Sequence, residues 1–189
     1  VQLGKTLALL GGEVSLNGAI LTAESGRIEL GSVEEGTVNL NQTNQGFILN
    51  YAGVANFQDI QLSQQSLVSA SGENAGSIDI QGRNINLNDG SKIWIQNLGL
   101  QESGNIDINV SESLTLSGTN LTEKTSSGLL TQTSTEAKAA DINISGKNLV
   151  LENGATIASS TYNTGNAGNF NFDLTESVEL FGLSPITNR

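Results

Sequence analysis

Asp79 and Asp107 stand in matching contexts, Ser77-Ile-Asp-Ile and Asn105-Ile-Asp-Ile. If those two segments lie one above the other, the carboxyls fall about 5 Å apart, a spacing at which paired carboxylates can do acid–base work on a glycosidic bond. The same position holds Asn143 and Asn171 further on, and Ser15 earlier. Drift among Ser, Asp and Asn identifies a solvated outward position, so no catalytic residue is assigned. The oxygens of Asn86, Asn88 and Asp89 suit a hard cation and leave Ca2+ as a weak expectation. Neither an EF-hand spacing nor the nonapeptide of calcium-binding β-rolls occurs. Trp94 lies between Ile93 and Ile95. If those two face inward it faces out, to stack on a sugar or a neighbouring surface, or to pack on the segment Asn97 to Glu102. It is the single candidate binding residue.

The residue types that are missing narrow the chemistry further. There is no Cys and no His, so thiolate metal sites, disulfides and the commonest general base are all excluded. A net charge of −11 opposes binding to nucleic acid or to an anionic membrane surface. No apolar run approaches the roughly 18 residues of a membrane-spanning helix. No Gly-rich phosphate loop and no nucleophile–base set is present. Asn-x-Ser/Thr triplets at Asn41, Asn109, Asn120 and Asn143 are expected of a chain this rich in those residues.

The elements that position these residues repeat. Gly76-Ser-Ile-Asp-Ile-Gln-Gly-Arg-Asn-Ile-Asn-Leu-Asn-Asp-Gly returns as Ala140-Asp-Ile-Asn-Ile-Ser-Gly-Lys-Asn-Leu-Val-Leu-Glu-Asn-Gly, at a constant offset that carries Ile78 to Ile142 and Gly82 to Gly146. A fainter copy at the same offset sets Val14, Leu16, Gly18 and Gly26 under Ile78, Ile80, Gly82 and Gly90. Glu112-Ser-Leu-Thr-Leu-Ser-Gly likewise returns as Glu176-Ser-Val-Glu-Leu-Phe-Gly. Each block alternates apolar with polar residues over three to five positions, the period of a strand with one buried face. First strands begin at Ile78, Ile106, Ile142 and Phe170, with an insert at Thr119 to Ser127.

Segments that recur once per turn can lie parallel above one another, so that every backbone group pairs along the stack and like side chains form ladders. The predicted fold is all-β, a right-handed parallel β-helix of about five to six coils with three short strands per coil. At about 4.8 Å per coil it makes a rod of roughly 26 Å. Ile78, Ile106, Ile142 and Phe170 form one inward ladder, Ile80, Ile108, Ile144 and Phe172 a second, and Leu87, Leu116, Leu151 and Leu180 a third. Gly82, Gly90, Gly146 and Gly154 mark corners. Residues 1–36 read as one unit, whose strands include Arg27 to Gly31 as the third of its coil. Residues 37–76 read as an irregular coil with an extra hairpin or bulge near 42 to 53, and residues 77–189 as the regular repeats. The chain opens in mid-pattern at Val1, as a piece of a longer polypeptide would.

Gly4-Lys-Thr-Leu-Ala-Leu-Leu-Gly-Gly-Glu-Val-Ser-Leu-Asn-Gly, with Gly26-Arg-Ile-Glu-Leu-Gly-Ser-Val after it, resembles the end of the haemagglutination-activity domain of filamentous-haemagglutinin-like exoproteins, especially the cyanobacterial ones. Asn56-Phe-Gln-Asp-Ile-Gln-Leu-Ser and the later repeats are similar to the stretch C-terminal to that domain. The resemblance implies a right-handed β-helix exported by two-partner secretion through an outer-membrane transporter. It implies a secreted protein, or one on the outer surface of a Gram-negative cell. Its expected role is a structural or adhesive stalk meeting a host-cell, matrix or carbohydrate receptor. A carbohydrate-active β-helix enzyme, or the stalk of a cytolysin or contact-dependent toxin, is the alternative.

Overall fold

The computed structural model describes residues 1–43 and 46–186. Residues 44 and 45, inside the expected extra hairpin, lie outside the described residues. In chain order the strands begin with β1 (Thr6–Gly11), β2 (Val14–Asn17) and β3 (Ile20–Thr22). Next come β4 (Arg27–Thr43), β5 (Gly46–Phe57), β6 (Ile60–Ser63) and β7 (Leu67–Ser69). β8 (Ser77–Leu87), β9 (Lys92–Asn97), β10 (Ile106–Ser117), β11 (Thr119–Asn120), β12 (Thr125–Ser126) and β13 (Gly128–Thr133) follow. β14 (Ile142–Glu152), β15 (Thr156–Thr161) and β16 (Phe170–Phe181) complete the order, and no helix occurs among the described residues.

Pairing is parallel between successive turns, which makes the fold a parallel β-helix. On the first face Leu7, Ile28, Ile78, Ile106, Ile142 and Phe170 stack in register. Leu9, Leu30, Ile80, Ile108, Ile144 and Phe172 stack beside them. The second face carries Leu16, Leu62, Leu87, Leu116, Leu151 and Leu180. The third stacks Leu21, Val68, Ile93, Leu129 and Ile157. Inward side chains of all three faces meet in one continuous core, and Ile28, Ile78 and Ile106 on the first face are wholly buried. Full burial of each aliphatic side chain contributes about 1.5–3 kcal/mol, so the ladders are the main source of stability.

β8, β10, β14 and β16 each run through a bend from the first face to the second without a break. Gly146 sits at one such bend: a Cβ there would come within 2.7 Å of the Val110 carbonyl oxygen. The next corner uses tight turns. Asp89–Gly90 and Asn153–Gly154 both have positive φ at each residue, the conformation that Asn-Gly and Asp-Gly adopt most readily. Buried Ser66, Ser91 and Ser127 line the same corner, where Ser66 Oγ accepts from the Ala19 N–H and Ser127 Oγ from the Gly90 N–H.

Two expectations about the N-terminal coils are corrected. Arg27 to Gly31 is not the third strand of the first coil; it pairs with β1 and opens the next coil. Val14 and Leu16 stack on Ile60 and Leu62, then on Ile85 and Leu87, so the fainter repeat is displaced by one strand from the register with Ile78. Two places run antiparallel. The insert at Thr119 to Ser127 is a small hairpin of β11 and β12. Between Val33 and Phe57, β4 and β5 form a longer hairpin that leaves the stack, and it extends on both sides of the 42 to 53 expected to bulge.

Candidate functional site

The outward positions of the first face, between its two inward ladders, carry Ala8, Glu29, Asp79, Asp107, Asn143 and Asn171 in register. Ser15, expected in this row, pairs instead with Gln61 on the second face. Three acidic side chains thus occupy successive rungs, and the long hairpin folds over the lower two. Glu29 is only 2% exposed. Its carboxylate pairs with Arg27 and takes the Leu49 backbone N–H, which belongs to β5 of the hairpin. Arg27 Nη2 also lies 2.7 Å from Asp79 Oδ2, an electrostatic pair without hydrogen-bond alignment, and Arg27 Nη1 donates to Ser77 Oγ at 2.9 Å.

Tyr51 supplies the cover. Its ring packs edge-on against Phe57 at 5.9 Å between centroids. Its hydroxyl is buried without a hydrogen-bond partner and fills the space above Gly31. A side chain at Gly31 would run into that hydroxyl and come within 2.7 Å of Leu10 Cδ1. Burial, with Glu29 and Asp79 adding, pushes the Tyr51 phenol far above its usual range. Burial likewise raises Glu29 against the pull of Arg27. Asp79 rises to about 7, chiefly through burial; Arg27 opposes this, while the charges of Glu29 and Asp107 add to it. One guanidinium cannot neutralise three stacked carboxylates, and the covered ones keep their protons longer.

The expected solvated row is therefore closed at Glu29, partly covered at Asp79 and solvated above it. There Asn143 Nδ2 donates to Asp107 Oδ1 at 2.6 Å and Asn171 Nδ2 to Asn143 Oδ1 at 2.7 Å. This amide ladder borders a shallow trough of about 670 Å³ that Asp79 and Asp107 also reach. A second charged row runs along the bend. Arg83 makes a bidentate pair with Asp59 at 2.8 and 3.1 Å, and its hydrogen bonds hold the Asp59 carboxyl below the usual range. Lys147, the sequence counterpart of Arg83, reaches Glu112 at 2.8 Å.

Ile93 and Ile95 are fully buried and Trp94 between them points outward, half-buried. It lines a hollow with Gln65, Leu67, Lys92 and Thr125, from neighbouring rungs and the insert, not from Asn97 to Glu102. Asp89 is exposed at its turn, while Asn86 stands in register with Gln61 and Thr115 on the second face. Among the described residues no three Asp or Glu side chains come together in a cation-binding group. The Arg27–Glu29–Asp79 cluster is invisible in the sequence because a strand pattern shows which side chains point out, not what folds over them.

Residues 1–80 match the family model of the TPS secretion domain. The match covers the N-terminal 80 of the 189 residues and makes this stretch similar to the secretion domain of two-partner secretion exoproteins. The matched stretch contains the Gly4–Gly18 and Gly26–Val33 motifs, the whole hairpin and the rungs up to Ile80. The domain implies a secreted protein and an outer-membrane transporter as its export partner. No curated protein and no solved structure matches the chain. No helix among the described residues is long and apolar enough to cross a membrane.

Proposed function

We propose that this chain is a non-enzymatic, adhesive stalk segment of a two-partner secretion exoprotein of the filamentous-haemagglutinin-like kind, working at the outer surface of a Gram-negative cell. The observation that carries the reading is the unbroken stack: inward apolar side chains recur in register from Leu7 to Phe170, and the outward positions between them are polar from Glu29 to Asn171. Such a stack is a stiff spacer, because bending it would open backbone pairs and part the ladders on one side. Its outward positions are free to vary, and Trp94 on the third face is the contact we assign to a carbohydrate or matrix receptor. Beads coated with the purified chain should be retained on glycan- or matrix-coated surfaces, and Trp94→Ala should lower retention by about tenfold. No retention on any such surface would remove the adhesive role. Retention unchanged by the substitution would move the contact away from Trp94.

A second reading is favoured by one observation, the row of carboxylates with Arg27 beside the shallow trough. In that reading the chain is a carbohydrate-active β-helix enzyme with Asp79 and Asp107 as its paired groups. Against it, Arg27 is committed to Glu29 and Asp79, and Glu29 is sealed beneath the hairpin. Release of reducing ends from acidic polysaccharides, lost in Asp107→Asn, would establish the enzyme and displace the stalk.

A further inference from the structure

We propose that Arg27, Glu29 and Asp79 form a proton-dependent latch that holds the Val33–Phe57 hairpin down on the first face and loosens it as the pH rises. The contacts between hairpin and stack at this point are few and specific. β5 offers the Leu49 N–H to Glu29, and Tyr51 closes over the same carboxylates through the gap that Gly31 leaves. Beyond the latch, Thr6 Oγ1 accepts the Phe47 N–H at 3.0 Å, a neutral contact that does not change with pH. The charged and titratable groups facing Asp79 are Arg27 and Glu29 on β4, Asp107 on β10 and Tyr51 on β5. β1 contributes only Ala8 to this row, and Lys5 borders a hollow with Gln42 and Phe47 of the hairpin.

Lowering the hairpin takes Glu29 out of water and Asp79 largely so, beside a single guanidinium. The closed form therefore binds a proton that the open form, with its carboxylates in water, releases at ordinary carboxylate values. Asp79 is raised to about 7 when covered. The contribution of the protonated latch is thus complete in acid and is lost as the pH climbs from the ordinary carboxylate range to about 7. Above that the covered carboxylates repel one another and the open form gains. The same row shows what a permanently neutral latch would look like, since Asn143 and Asn171 fit equivalent positions without disturbing the ladder. The latch concerns the hairpin alone and is independent of whether Trp94 binds a receptor.

Hydrogen exchange on the whole chain tests this, with the amides of Phe47 and Leu49, which face the stack and not β4, as the reporter and Ile78, Ile80 and Ile85 in the stack as the internal reference. After correction for intrinsic exchange, hairpin protection should fall on the order of tenfold or more between pH 5 and pH 8, with the reference unchanged. In Asp79→Asn it should be nearly level across that range. Glu29→Gln, as an independent variant, should at least halve the slope on a logarithmic scale. Hairpin protection that stays constant with pH in the natural sequence overturns the latch. So does a full slope retained in both variants.

Discussion

One row of outward side chains has two different ends. At Glu29 and Asp79 it is acidic, tied to Arg27 and covered, wholly at Glu29 and partly at Asp79; at Asn143 and Asn171 it is neutral, open and linked by amide hydrogen bonds. The backbone beneath is the same, parallel and in register throughout. The stack therefore fixes where a side chain stands, and whatever lies across the outside fixes how it behaves. A single inserted hairpin, Val33 to Phe57, is enough to turn a surface carboxylate into a buried one.

The largest effect is expected in the shared interior. Ile106→Ala, at the centre of the first face where no solvent reaches, should lose about 2–5 kcal/mol. Phe172→Ala, 43% exposed on the last rung, should lose only about 1 kcal/mol, and urea unfolding of both variants checks the difference. Next comes the cover. Gly31→Val should cost about 1–3 kcal/mol by driving Tyr51 off the stack, and Tyr51 should gain solvent exposure in ultraviolet difference spectra. Gly82→Val is its control at a bend, where a Cβ meets Gln58 and Ile60 no closer than 3.3 Å and should cost less. The smallest effect is a gain. Gln64 and Gln65 both have positive φ where later coils use Asp89–Gly90 and Asn153–Gly154, so replacing the pair by Asn-Gly should add about 1 kcal/mol to the stability measured by the same urea unfolding.

The ladders from Ile78 onward are legible in the sequence because alternation, together with the return of Gly76–Gly90 at Ala140–Gly154, sets both face and register. The structure stacks Ile78, Ile106, Ile142 and Phe170 accordingly. The insert at Thr119 to Ser127 is legible as an interruption between two intact strands. The N-terminal coils come out one strand displaced when read from sequence. First-face rungs there step from Leu7 to Ile28 and then, more than twice as far along the chain, to Ile78, so no common period ties them together. Ser66, Ser91 and Ser127 are hidden for another reason: serine is frequent in this chain, and only the coordinates show three of them buried at one corner. The carboxylate cluster depends on the hairpin lying back over the first face, a long-range contact that alternation does not encode.

The stacking itself admits a direct test, since the chain contains no cysteine. Asp107 and Asn143 are register partners on adjacent rungs, and so are Asn109 and Ser145. Partners at about 4.8 Å can be joined by a disulfide, whereas Asp107 and Ser145, two positions out of register at about 8 Å, cannot. Under mild oxidation Asp107→Cys with Asn143→Cys should cross-link almost completely within one chain, and Asp107→Cys with Ser145→Cys should remain reduced. Equal cross-linking of the two pairs, or none in the first, would contradict the parallel stack.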